Sequence, residues 1–172
     1  YRLSRNYRTH AGVLRLGTAV VNLLHKHFKG SVDPGMADRG AVEGPKPRLW
    51  RCDRPGDLRE CLGDGDGGST GVVLLFRDQE ALDTFRRPGG AGAGIGATCL
   101  TIKQSKGLEF HDVALVNFFS SKAGSKRLGP SWRRFFPPPP SGGGSAGELA
   151  SPTDPVLEGE LKFLYTGVTR CR

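Results

Sequence analysis

The sequence predicts an α/β fold, a mostly parallel sheet with helices on both faces, and two observations carry that expectation. Val72-Val73-Leu74-Leu75-Phe76 is a continuous apolar run rather than an alternating one, as expected of a strand covered on both faces. Thr98 to Ile102 and Val113 to Phe118 are two further buried-strand candidates, and helix-patterned segments are interleaved among these runs. Strands alternating with helices build an open α/β sheet.

Element by element, Thr9 is placed to cap a helix whose apolar positions are Val13, Leu16, Val20, Leu23, Leu24 and Phe28, a spacing of three and four. Lys29-Gly30 supplies the basic last turn and the glycine that end such a helix. Residues 31 to 47 read as a Gly/Pro-rich connection, followed by a short strand at Leu49 to Cys52 and a short helix at Asp57 to Leu62. Gly63 to Gly68 is a flexible loop without the oxygen ligands in register that a calcium loop needs. After the Val72 strand comes a helix over Gln79 to Arg86. From Ser120 to Pro155 the composition turns to Gly, Ser, Pro and basic residues, with Pro137 to Pro140 inside it. A disordered or loosely held insertion over 120–156 is expected there. Leu157 to Arg170 returns to a helical pattern, with Leu161, Leu164, Tyr165 and Val168 on one side.

Composition narrows the function less than the pattern does. The 26 Gly and 12 Pro among 172 residues shorten the chain available for a core. Together with Tyr1 at the start and a helix-like run that stops at Arg172, the chain is expected to be a fragment of a longer one. Its net charge of +8 suits a phosphate-rich partner, although a solvated basic surface carries the same charge. Cys52, Cys61, Cys99 and Cys171 contain no CxxC pair, so neither a zinc site nor a disulfide framework is indicated, and no metal ligands are assigned. An intracellular location, nuclear or cytoplasmic, is expected. No apolar run approaches the ~20 residues of a membrane span, and no membrane partner is expected.

A phosphate site would announce itself first in the glycines. Gly89 to Gly96 is a dense run, but it follows a helix and precedes a strand. A phosphate cradle needs the order strand, glycines, helix, so that amides at the helix start face the anion. No Gly-Lys-Ser/Thr occurs. Phe76-Arg77-Asp78-Gln79-Glu80 resembles a magnesium-holding acid pair, but Arg77 separates the strand from the acids, which favours a plain strand end.

Three other stretches say more. They are Leu3-Ser4-Arg5-Asn6-Tyr7-Arg8-Thr9-His10, then Leu100-Thr101-Ile102-Lys103-Gln104-Ser105-Lys106-Gly107-Leu108-Glu109-Phe110, and finally Glu160-Leu161-Lys162-Phe163-Leu164-Tyr165-Thr166-Gly167-Val168-Thr169-Arg170. Singly each reads as a helix cap, a strand-turn and an amphipathic helix. In this order they resemble motifs IV, V and VI of UvrD/Rep-type superfamily 1 helicases, with Lys-Gly-Leu-Glu-Phe the most specific block. More narrowly, Asn117-Phe118-Phe119 and Gly44-Pro45-Lys46-Pro47 resemble the helicase-like module of large vertebrate TPR-and-ankyrin-repeat proteins.

That resemblance implies a RecA-like P-loop NTPase fold, the second motor domain, over residues 1–172. It implies ATP as cofactor, with Mg2+ held by an N-terminal RecA-like domain of the same parent chain that also supplies the P-loop. By similarity, Tyr7 would stack on adenine and Glu109 would accept a ribose hydroxyl. Arg8 and Arg170 would approach the γ-phosphate as the catalytic pair. Two guanidiniums suit phosphoryl transfer because they offer fixed, multiple donors to developing charge. Thr101, Lys103 and Lys106 would contact single-stranded nucleic acid, DNA ahead of RNA. The family usually has His where Lys103 stands, and a large subdomain where this chain has a few glycines between Arg87 and Thr98. Translocation without strong unwinding is therefore expected. The insertion offers a competing basic and aromatic set, Lys122, Lys126, Arg127, Arg133 and Arg134 with Trp132, Phe135 and Phe136. A helicase-derived interaction module that no longer turns over ATP is the alternative.

Overall fold

The computed structural model describes residues 5–33, 39–52, 55–62, 71–120, 122–123, 126–127, 132 and 155–172. At its centre is a three-stranded parallel sheet. Strand β3 (Val72–Phe76) lies between β4 (Thr98–Thr101) and β5 (Asp112–Leu115). The register pairs Phe76 with Thr101 on one side and Val72 with Asp112 on the other. Short strands β1 (Arg5–Asn6) and β2 (Arg39–Gly40) pair separately and in parallel. Lys122–Ala123 (β6) and Lys126–Arg127 (β7) pair antiparallel.

The unbroken apolar run of β3 has a direct packing cause. Val73 and Leu75 join one core with residues of helix α1 (Ala11–His27) and helix α4 (Pro155–Val168). The alternate residues Leu74 and Phe76 join a second core with Leu82 and Phe85 of helix α3 (Gln79–Arg86), flanked by Leu58 and Leu62 of helix α2 (Pro55–Leu62). A strand whose side chains alternate faces must be apolar throughout when both faces are covered. The fold is therefore mixed α/β, as the sequence predicts.

Glycines set the closeness of the helices. A Cβ on Gly17 would stand 3.4 Å from the Tyr165 ring, and one on Gly167 would stand 2.8 Å from Leu115. The first glycine lets α1 approach α4, and the second seats α4 on the sheet.

Several local expectations are corrected. Thr9 is buried at the head of α1, but the cap is His10, whose Nδ1 accepts from the Val13 amide at 3.4 Å. Leu49 to Cys52 forms no strand, and Leu49 is 90 % exposed. With no sheet edge to take its amides, an apolar pair (Leu49-Trp50) alone does not make a strand. Leu16 lies at the exposed edge of α1 rather than in the core. The last apolar run stops early: Asn117 takes a positive φ of 51°, and Phe118–Ser120 turns into a 3-10 helix. Most of the insertion, like Gly63 to Gly68, lies outside the described residues. Its Trp132 is buried against Phe118 and Phe119, with ring centroids 6.0 and 5.1 Å away. Among the described residues, no helix is long and apolar enough to cross a membrane.

Candidate functional site

The segment Asn6-Tyr7-Arg8 is built by its first residue. Asn6 Oδ1 accepts from the backbone amides of both Arg8 and Thr9 at 2.9 Å, a side-chain-closed turn that asparagine makes readily. The Asn6 carbonyl accepts from Ala41, and the Ala11 amide donates to Val42. The turn is thus anchored to the 39–42 strap, and its next two side chains stand outward. Tyr7 is 77 % exposed, with the Arg5 guanidinium 5.5 Å from its ring centre. Arg8 pairs with Glu109 at 3.1 Å.

Glu109 is presented by the turn that follows β4. Thr101 and Gln104 exchange two bonds: the Thr101 amide to Gln104 Oε1 at 2.8 Å, and the Gln104 amide to Thr101 Oγ1 at 3.1 Å. Ser105, fully buried, donates its hydroxyl to the Ile102 carbonyl at 2.8 Å. Gly107 has φ +87°, with open space at its Cβ position, so glycine is needed there for backbone conformation rather than for room.

Arg170 reaches the same place from the end of α4. Its Nη1 donates to the Leu108 carbonyl at 3.4 Å, and its Nε donates to the Thr166 carbonyl at 3.3 Å. Backbone bonds on both sides of Phe110 lock the tail to this segment: Phe110 to the Arg170 carbonyl and Arg172 to the Phe110 carbonyl, each 3.0 Å. Three segments far apart in sequence therefore bring Arg8, Glu109 and Arg170 to the start of β5, with Tyr7 beside them.

The second group lies elsewhere. Thr101 aligns with Phe76 at the C-terminal edge of the sheet, whereas Asp112 aligns with Val72 at the opposite edge. Lys103, immediately after Thr101, and Lys106 are exposed on the intervening turn. Thr101 itself is buried, with its hydroxyl engaged by Gln104. In the insertion, Arg133, Arg134, Phe135 and Phe136 lie outside the described residues.

One cluster escaped the reading of the sequence. Arg77, at the end of β3, grips Glu160 of α4: its Nε donates to Oε2 at 2.8 Å and its Nη2 to Oε1. Nη1 also donates to Asp78 at 2.6 Å, and Asp78 caps α3 through the Ala81 amide. The hydrogen bond to Glu160 is the main cause holding the Arg77 pKa above its ordinary range. The sequence did carry a signal. Glu160 shares a helix face with Leu157, Leu161 and Leu164, all buried, and a carboxylate on such a face needs a cation. Elsewhere, burial pushes the Cys99 and Cys171 thiols up and holds His27 below its ordinary value. Among the described residues, no group of three or more His, Cys, Asp or Glu is arranged to hold a metal ion.

Comparison with known proteins gives a distant likeness. The chain is similar to human TPR and ankyrin repeat-containing protein 1. The two are 31% identical over 199 residues, covering all of this chain and 6% of that protein. The chain thus spans about 6% of the length of this relative. No family model matches the chain. No solved structure matches it either. The likeness is to a TPR-and-ankyrin-repeat protein, the narrower of the two resemblances in the sequence, and no helicase family is shown by it.

Proposed function

We propose that this chain is the RecA-like C-terminal wall of an ATP-driven superfamily 1 helicase or translocase acting on single-stranded nucleic acid. The observation that carries the reading is the convergence of Arg8, Glu109 and Arg170, from three separate segments, on one edge of the sheet. The donor set fits a nucleotide: Arg8 and Arg170 offer guanidiniums to phosphate oxygens, Tyr7 offers an aromatic face to a base, and Glu109 offers an acceptor to a ribose hydroxyl. The phosphate cradle and the Mg2+ ligands would come from an N-terminal RecA-like domain of the parent chain. ATP, once held between the two walls, supplies the phosphoryl-transfer chemistry.

The present contacts of these residues are weak enough to exchange. Arg8 and Glu109 are 56 % and 34 % exposed, and pairs of that kind contribute about 0–1 kcal/mol. A nucleotide therefore displaces them at little cost. Residues on a wall separate from the phosphate cradle engage only when the cleft closes, which couples turnover to domain motion.

The test is Arg170→Ala in the parent protein. Nucleotide affinity stays within a few-fold, while turnover falls by roughly 10³-fold, the range for a lost arginine finger. Arg170→Lys rescues poorly because an ammonium lacks the planar fork. Hydrolysis at the parental rate in both variants overturns the proposal. If the parent protein binds single strands without any hydrolysis, the chain is instead a helicase-derived binding module.

A further inference from the structure

We propose that Cys52 and Cys61 form a reversible thiol–disulfide site. Their sulfurs lie 3.9 Å apart. Cys52 is exposed, and Cys61 is partly so. Cys52 belongs to the segment 43–52, which forms no helix or strand, and Cys61 belongs to the last turn of α2. The two thiols meet although no CxxC spacing announces them.

Closing the bond asks little of the fold. The sulfurs must approach by about 1.9 Å to reach the ~2.05 Å bond length. A cysteine in an exposed segment outside helix and strand can make that move by side-chain rotation and a small backbone shift. The remaining cysteines are placed for inertness: Cys99 is buried and donates to the Ala97 carbonyl, and Cys171 donates to the His111 carbonyl.

The bond has a mechanical consequence. The segment's other end is fixed over the head of α1, where Ala11 donates to Val42 and Gly12 sits against the Pro45 carbonyl. Helix α2 packs on the opposite face of the sheet. A Cys52–Cys61 bond therefore ties the strap that anchors Asn6 to a helix of the other layer.

Oxidation proceeds by exchange with a small-molecule disulfide such as oxidised glutathione. The more exposed Cys52, as thiolate, attacks one glutathione sulfur; a mixed disulfide forms and the first glutathione thiolate leaves. Cys61, as thiolate, then attacks the Cys52 sulfur and the second glutathione thiolate leaves. Two protein thiols are oxidised, one disulfide is reduced to two thiols, and the protons of Cys52 and Cys61 pass to the departing thiolates through solvent.

The experiment equilibrates the protein in buffers of graded glutathione to glutathione-disulfide ratio, quenches with acid, blocks free thiols with N-ethylmaleimide and maps linkages by peptide mass spectrometry. The same series is run in concentrated urea, where only proximity along the chain remains. The expected result is a Cys52–Cys61 bridge in the native protein, before Cys99 or Cys171 reacts. The ratio of bridged to glutathione-capped protein should exceed that in urea by about tenfold, from the higher effective concentration of pre-placed thiols. Tryptic cleavage after Arg48 slows on oxidation and recovers with dithiothreitol. Cys52→Ser leaves Cys61 capped by glutathione and unbridged. Equal bridging in urea, glutathione capping of both cysteines without a bridge, or an unchanged cleavage rate overturns the proposal.

Discussion

Removing the charge of Glu160 tests the packing of α4 most directly. In the native protein the Arg77 and Glu160 side chains are only 15% and 4% exposed. Glu160→Gln keeps the shape but leaves a guanidinium that cannot lose its proton facing a neutral amide. Breaking one half of a buried pair costs about 3–5 kcal/mol, because the remaining charge is uncompensated. Arg77 keeps its second bond to Asp78, which places the expected cost near 3 kcal/mol at the low end of that range. With a urea slope of about 2 kcal/mol per molar, the unfolding midpoint falls by roughly 1.5 M. The double variant Arg77→Met with Glu160→Leu removes both charges and lies within about 1 kcal/mol of the parent, or above it. Urea titrations followed by circular dichroism on the parent, Arg77→Met, Glu160→Leu and the double variant close the thermodynamic cycle, with Glu160→Gln measured beside them. A Glu160→Gln midpoint within about 0.5 M of the parent refutes the reasoning. So does a double variant that loses the sum of its singles.

Gly12→Ala places a Cβ 2.0 Å from the Pro45 carbonyl and costs about 1–3 kcal/mol by thermal unfolding, whereas Gly159→Ala meets nothing within 4 Å and stabilises by about 0.5–1 kcal/mol. If both move the transition the same way, the close approach of the 44–45 strap to α1 is wrong. On the proposed function, Lys103→Ala with Lys106→Ala in the parent protein flattens the salt dependence of single-strand binding by up to about 1.4 in log–log slope, about 0.7 per phosphate contact. An unchanged slope moves the nucleic-acid track off this turn.

The elements that sequence placed well are those whose own packing writes their pattern. Val72 to Phe76 is apolar at every position because two cores claim its two faces, and Asp78 marks the start of α3 because its carboxylate caps the helix. The failures share one cause, which is that partners distant in sequence decide them. Thr9 has the chemistry of a cap, but it belongs to the turn closed by Asn6, and His10 caps the helix, which starts at Ala11. Leu49 to Cys52 has strand-like residues and no neighbouring strand. Arg77 looked like an interruption until Glu160, contributed by α4, supplied its partner. Ordered motifs point to Tyr7, Arg8, Glu109 and Arg170 as candidates, whereas the bonds by which Asn6 holds the first two outward run to its neighbours' backbone and leave no pattern in sequence.

Thr101 carries the last prediction, because its role divides two accounts of the turn. Resemblance implies a contact between Thr101 and a nucleic-acid strand, whereas its burial and its exchange of bonds with Gln104 make it a support for the segment running from Lys103 to Glu109. Thr101→Val conserves shape and removes the acceptor, leaving the exposed Gln104 amide without its hydroxyl partner at a cost of about 0.5–1.5 kcal/mol. If support is the role, amide exchange at Gln104 and Ser105 quickens in the protein without nucleic acid, measured by hydrogen–deuterium exchange. A cost of 1.4 kcal/mol corresponds to about tenfold in that rate when opening is local. Thr101→Ser, which restores the hydroxyl, returns the exchange to the parental rate. Unchanged exchange in Thr101→Val, joined to a loss of single-strand binding, instead makes the hydroxyl a direct contact and refutes the supporting role. Support at Thr101 also has a reach that direct contact lacks. The same turn spans from the C-terminal edge of the sheet, beside Lys103, to the edge where Glu109 pairs with Arg8 and the Leu108 carbonyl accepts from Arg170. Loosening it then disturbs both groups at once.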